Sequence, residues 1–195
     1  MASVHVRKRL LFGSLAVSAV VSVAIGWAIA QNGSSTDDGS GPVTTRRTVD
    51  VGIIDTNDDL RGRMLADVNV QTLEGDDVAT SSLLGTPLVI NVWSSTCIPC
   101  REELPAFAEV HQLYGDEVRF VGIDYLGAGE VEEQFARDKG VQYELFYDSN
   151  GEFLVATDLA AFPVTLFVSA DGTIVRQTGQ LTRDELEQYV QELLQ

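Results

Sequence analysis

Residues 88–105 read Leu88-Val-Ile-Asn-Val-Trp-Ser-Ser-Thr-Cys-Ile-Pro-Cys-Arg-Glu-Glu-Leu-Pro105. The first six positions form an apolar, β-branched run of the kind that makes a buried strand. After it, Leu104, Phe107, Ala108, Val110 and His111 recur at helical spacing as far as Leu113-Tyr114-Gly115. Between strand and helix stand Cys97 and Cys100, the only two cysteines in the 195-residue chain. The carboxyl end of a strand facing a helix N-terminus is the usual functional position in α/β sheets.

The spacing assigns the two sulfurs different work. With Cys97 capping a helix that begins at Ile98, the free N–H groups of the first turn and the helix dipole point at its sulfur and favour thiolate over thiol. Cys100 lies one turn in, deeper, and is placed to attack a mixed disulfide formed at Cys97. Pro99 is tolerated in the first turn, where its missing N–H costs nothing, and Pro105 is expected to kink the helix. As a static crosslink the pair would close a very small loop and restrain the unfolded chain little. A zinc site needs four ligands, and beyond the two cysteines the chain has only His5 and His111. A redox couple is the reading that remains. Glu103 follows Cys100 by one turn on the same face. Spacing alone leaves it open between a solvated helix charge, as Glu102 is read, and a part-buried proton carrier for Cys100.

Outward from this centre the chain alternates. Before it, Met64–Leu73 alternates in part and ends at the turn signal Glu74-Gly75-Asp76. After it come a second buried-strand run at Val118–Tyr125, a helix over Gly129–Lys139 closed by Gly140, a strand at Tyr143–Tyr147 and a short helix at Gly151–Asp158. A hairpin follows, from Val164–Val168 through Asp171-Gly172 to Thr173–Gln177. Thr182, with Glu185 three residues on, opens a last helix through a capping box. Strands and helices in this order predict an α/β fold with a partly parallel sheet.

The N-terminal end is different in kind. Leu10–Ala30 carries no charge over a length that matches the ~20 residues of a membrane-crossing helix. Arg7, Lys8 and Arg9 precede it, and a basic flank stays on the cytoplasmic side. The segment reads as an uncleaved signal anchor, or as a signal peptide cut after Ala30 within Ala28-Ile29-Ala30. Either way the remainder lies outside the cytoplasm. The predicted organisation is a basic cytoplasmic end at 1–9, the membrane segment at 10–30, a Gly, Ser, Thr and Asp-rich linker at 31–61 in which 51–54 adds a short strand, and one domain at 62–195. The formal charge is −16, and none of the 29 Asp and Glu precedes residue 31. So acidic a domain repels nucleic acid phosphates and anionic lipid surfaces, which argues against a nucleic-acid partner.

Three stretches together, "LLGTPLVINVWSSTCIPCREELPAF", "VRFVGIDY" and "AFPVTLFVSADGTIVRQTGQL", resemble the thioredoxin superfamily, specifically its membrane-tethered, extracytoplasmic TlpA/ResA-like branch. The resemblance covers roughly residues 62–195. It implies a thioredoxin-like fold with an N-terminal β-hairpin and a strand–helix insertion at about 127–150. It implies no bound cofactor and no metal, the redox group being a Cys97–Cys100 disulfide. Catalysis would fall to Cys97, Cys100 and Glu103, the last matching the carboxylate this branch keeps near its cysteines. Pro163 matches the cis-proline beside the active-site disulfide, so that Phe162, Pro163, Thr96 and Trp93 are the expected substrate-binding residues. Asn91 stands where cytosolic thioredoxins have a buried acid, and Thr96 where the family usually has Trp, which removes a flat apolar surface. The implied activity is disulfide exchange with protein thiols, best known as reduction of apocytochrome c, and a reductase in an oxidising compartment needs a membrane electron donor.

Two other functions fit two adjacent thiols. A thiol peroxidase of the peroxiredoxin type uses Pro-x-x-x-Thr-x-x-Cys, and counting back from Cys97 gives Ser94 and Ile90 in place of the Thr and Pro. A non-catalytic module could bind Cu(I) through two soft thiolates.

Overall fold

The computed structural model describes residues 57–126 and 129–195. The predicted basic end, membrane segment and residues 31–56 of the linker, with the 51–54 strand, lie outside these residues. Among the described residues no helix is long and apolar enough to cross a membrane.

Seven strands and four α-helices follow one another as β1 (Asn69–Gln71), β2 (Asp77–Ala79), β3 (Leu88–Trp93), α1 (Ile98–Tyr114), β4 (Arg119–Asp124), α2 (Glu130–Asp138), β5 (Glu144–Tyr147), α3 (Glu152–Thr157), β6 (Val164–Val168), β7 (Ile174–Thr178) and α4 (Arg183–Leu193). One mixed sheet holds all the strands in the order β2-β1-β5-β4-β3-β6-β7. β3 pairs in parallel with β4, and β4 with β5, while β6 runs antiparallel to β3. Every side chain of β3 is buried. Covered on both faces, such a strand reads as a continuous apolar run instead of an alternating one.

The two faces make two cores. Val89, Trp93, Phe120 and Phe167 meet Leu104, Phe107 and Val110 of α1 and Leu186 and Val190 of α4 on one side. Leu88, Ile90, Val92, Val121, Ile123 and Leu166 meet Phe153 of α3 and Leu60, Leu65 and Leu83 on the other. The N-terminal hairpin pairs Asn69 with Ala79 and Gln71 with Asp77. Met64 forms a lone bridge to Thr173, so that only three residues of the expected 64–73 strand join the sheet. The segment 127–150 contains a helix first, α2, and then a strand, β5. Pro105 falls inside α1, which runs on past it. Thr182 and Glu185 form the reciprocal capping box of α4.

Residues 57–61, the end of the stretch read as linker, lie against the domain. Leu60 is 2% exposed, its N–H donates to Gln177 Oε1 (2.9 Å), and Gln177 Nε2 donates to the Asp58 carbonyl (3.0 Å). A single buried leucine and one paired amide outweigh the linker-like composition around them.

Candidate active site

Because β3 and β6 are antiparallel neighbours, the end of one meets the start of the other. Val92 pairs with Val164, so the Cys97 loop leaving β3 and the Phe162-Pro163 segment entering β6 emerge at the same edge. Cys97 is the N-cap of α1, in extended conformation, and its Sγ accepts from the Cys100 N–H (3.3 Å). The two cysteines are joined by a disulfide with their Cα atoms 5.3 Å apart. Cys100 is fully buried, whereas Cys97 is half-buried and Thr96 and Ile98 on either side of it are exposed. The Phe162–Pro163 peptide bond is cis. Phe162 is half-buried against the same core as Cys97 and stacks on Tyr125, ring centroids 3.9 Å apart.

Glu103 is enclosed by the packing of α1, with only 2% of its surface exposed. Its carboxylate is held from two sides. Asn91 Nδ2 of β3 donates to one oxygen (2.7 Å) and the Leu181 N–H, in the loop before α4, donates to the other (3.1 Å). Loss of water raises the carboxyl more than these two donors lower it, and it is pushed up to about 8. The same burial, with the Glu103 charge nearby, keeps Tyr143 a neutral phenol well above its ordinary range.

Trp93 departs from expectation. It is 1% exposed, stacked on Phe135 of α2, with the Arg101 guanidinium over the far ring (5.3 Å). As the last residue of β3 it points into the α1 side of the core, where a large aromatic is worth more as packing than as a contact surface. It is therefore not available to touch a substrate.

One residue of the site gave no sequence signal. Glu132 of α2 is 4% exposed, and its carboxylate accepts from the Ser95 N–H (2.7 Å) and from the Ser95 hydroxyl. It thus grips the loop two residues before Cys97. In the sequence it sits among Glu130 and Glu133 as one more acid of a helix start, and nothing in its spacing separates it from them. Among the described residues no group of three or more His, Cys, Asp or Glu is placed to hold a metal ion.

Comparison with known proteins agrees with this geometry. A model of the AhpC/TSA family matches residues 62–177. The thioredoxin-like protein YneN of Bacillus subtilis is 26% identical over 131 residues, 65% of this chain and 76% of YneN. The thiol-disulfide oxidoreductase ResA of Oceanobacillus iheyensis is 27% identical over 125 residues, 63% of this chain and 65% of ResA. The solved structure of a secreted Mycobacterium tuberculosis disulfide oxidoreductase homologous to E. coli DsbE is 26% identical, with a TM-score of 0.58 over 65% of this chain and 96% of that one. With its cysteine pair at the head of α1, at the end of the central strand, this chain belongs to the AhpC/TSA family and is a thiol-disulfide oxidoreductase of thioredoxin-like fold.

Proposed function

We propose that this chain reduces disulfides in extracytoplasmic proteins, with Cys97 as the attacking sulfur, Cys100 as the resolving sulfur and Glu103 as the proton carrier. The observation that carries the reading is the unequal exposure of the two cysteines: Cys97 half-buried on a helix N-cap, Cys100 wholly buried one turn in. In the reduced enzyme the Cys97 thiolate attacks one substrate sulfur. A mixed disulfide forms, and the other substrate sulfur leaves as a thiolate and takes up a proton. Cys100 then gives up its proton and attacks Cys97 Sγ. The Cys97–Cys100 disulfide closes and the second substrate sulfur leaves, so two electrons have passed to the substrate. A carboxyl raised to about 8, one helical turn beyond Cys100, is matched to accept that proton near neutral pH.

Thr96 and Phe162, at the sheet edge where Cys97 emerges, are the proposed substrate contacts, with Pro163, whose ring is buried, shaping the backbone there. The apolar 10–30 segment with its basic flank supports a single-pass anchor with the domain outside, or a secreted domain if cleaved after Ala30. In that oxidising compartment a membrane dithiol donor must regenerate the reduced pair. The resemblance to the TlpA/ResA-like branch supports apocytochrome c as the substrate class, and relatives named thiol-disulfide oxidoreductase support protein disulfides in general.

The test is trapping. Cys100→Ser should accumulate mixed disulfides through Cys97 when expressed in the native compartment, and Cys97→Ser should accumulate none. Equal trapping by the two variants would remove the division of labour. A reduction potential well above that of the glutathione pool would reverse the direction to oxidase. Rapid peroxide consumption by the reduced domain would favour the peroxidase instead.

A further inference from the structure

The five residues between Thr157 at the end of α3 and Val164 at the start of β6 that follow Asp158 have no regular structure. They end in Phe162-Pro163, so their backbone groups need partners from elsewhere. One side chain supplies three. Asn57 Oδ1 accepts from the N–H groups of Ala160 (2.8 Å) and Ala161 (2.9 Å), and Asn57 Nδ2 donates to the Ala161 carbonyl (2.7 Å). An Asn amide has few other bonds left to make. The residue that supplies them is over a hundred positions away in sequence and is itself tied down. Leu60 is buried in the core, the Leu60 N–H and Asp58 carbonyl bond Gln177, and Gly62 N–H donates to the Ile174 carbonyl of β7 (2.8 Å). Asn57 and Leu60 of this clasp lie before residue 62, where the family match begins, and their partners Ala160, Ala161 and Gln177 lie within it.

We infer that Asn57 is a positioning residue: the segment leading from the N-terminal apolar stretch holds the Ala160–Pro163 loop in the conformation that receives the substrate backbone. This rests on the reading of Phe162 as a substrate contact, with Pro163 shaping the backbone there. The clasp touches the loop and neither sulfur. It therefore governs recognition of a peptide and leaves the intrinsic reactivity of Cys97 alone.

The experiment compares two substrates on the full chain in detergent. One is a peptide with an internal disulfide, the other hydroxyethyl disulfide, which has no backbone to align. Asn57→Ala should raise KM for the peptide about tenfold, as expected for roughly one net hydrogen bond, with kcat and the hydroxyethyl disulfide kinetics unchanged. Asn57→Asp keeps the acceptor for both N–H groups but sets a carboxylate oxygen against the Ala161 carbonyl, and should recover part of the loss. An unchanged peptide KM in Asn57→Ala overturns the inference. So does an equal loss on both substrates, which marks a role in folding alone, and so does a failure of Asn57→Asp to recover. If the wild-type chain itself reduces hydroxyethyl disulfide but no peptide, the substrate-groove reading falls, and the positioning role with it.

Discussion

A carboxyl group enclosed at position 103 changes charge several pH units later than one in water, and the whole molecule's stability registers the difference. In the unfolded chain Glu103 ionises near its ordinary 4.5, and in the fold near 8. Between those values the folded state holds a proton that the unfolded state has released, so stability falls as pH rises from 4.5 to 8 and levels off above. Denaturant midpoints of the oxidised chain at pH 5 and pH 8 should show that fall. Glu103→Gln, which cannot ionise, should flatten its Glu103 component; its one amide oxygen keeps an acceptor for the Leu181 N–H, and a turned Asn91 amide can accept from its NH2. An unchanged slope in the variant would mean that Glu103 ionises in the fold as it does in water. The position of this residue was legible only in part. Its spacing from Cys100 was plain, but both outer partners, Asn91 and the Leu181 N–H, come from distant segments. Burial is a property of those neighbours, which no local pattern encodes.

At the scale of elements, α1 and β3 were readable to the residue, because Leu88–Trp93 is apolar throughout and Cys97 with Pro99 marks a helix start. β1 was not, since only three of its residues pair, between β2 and β5, and the alternation before them is interrupted by Asp67 and Asn69. α2 was read only as a helix over Gly129–Lys139, and one of its acids, Glu132, turns inward to hold the Ser95 loop. Glu132→Ala leaves a part-buried N–H and hydroxyl without their partner and should cost about 1–3 kcal/mol of stability. With the loop released, Cys97 of the reduced chain should also alkylate at a changed rate, whereas Glu130→Ala, at an exposed position, should alter neither. Urea unfolding and iodoacetamide kinetics on the two variants measure this, and equal behaviour would show the grip to be inconsequential.

The whole molecule was legible as a class: alternating strands and helices around a cysteine pair foretold a mixed sheet with the pair at the edge of its central strand. What the order of elements left open was the clasp of residues 57–61, because three hydrogen bonds from one asparagine are made across the entire length of the domain. The placement of β3 has a further consequence. Its six residues are buried and pair with β4, and Leu88–Val92 pair with β6 as well. Local opening of a protein runs from fraying ends to units that part only with global unfolding. β3 belongs to the latter, so its amides should be the last to exchange with deuterium, and equally late whether the disulfide is closed or reduced. The Ala160 and Ala161 amides, held by the Asn57 side chain alone, should exchange before those of β3 and faster still in Asn57→Ala. The sulfur-bearing start of α1 thus follows directly from the slowest-opening strand, and electrons can pass to a substrate without any loosening of the core.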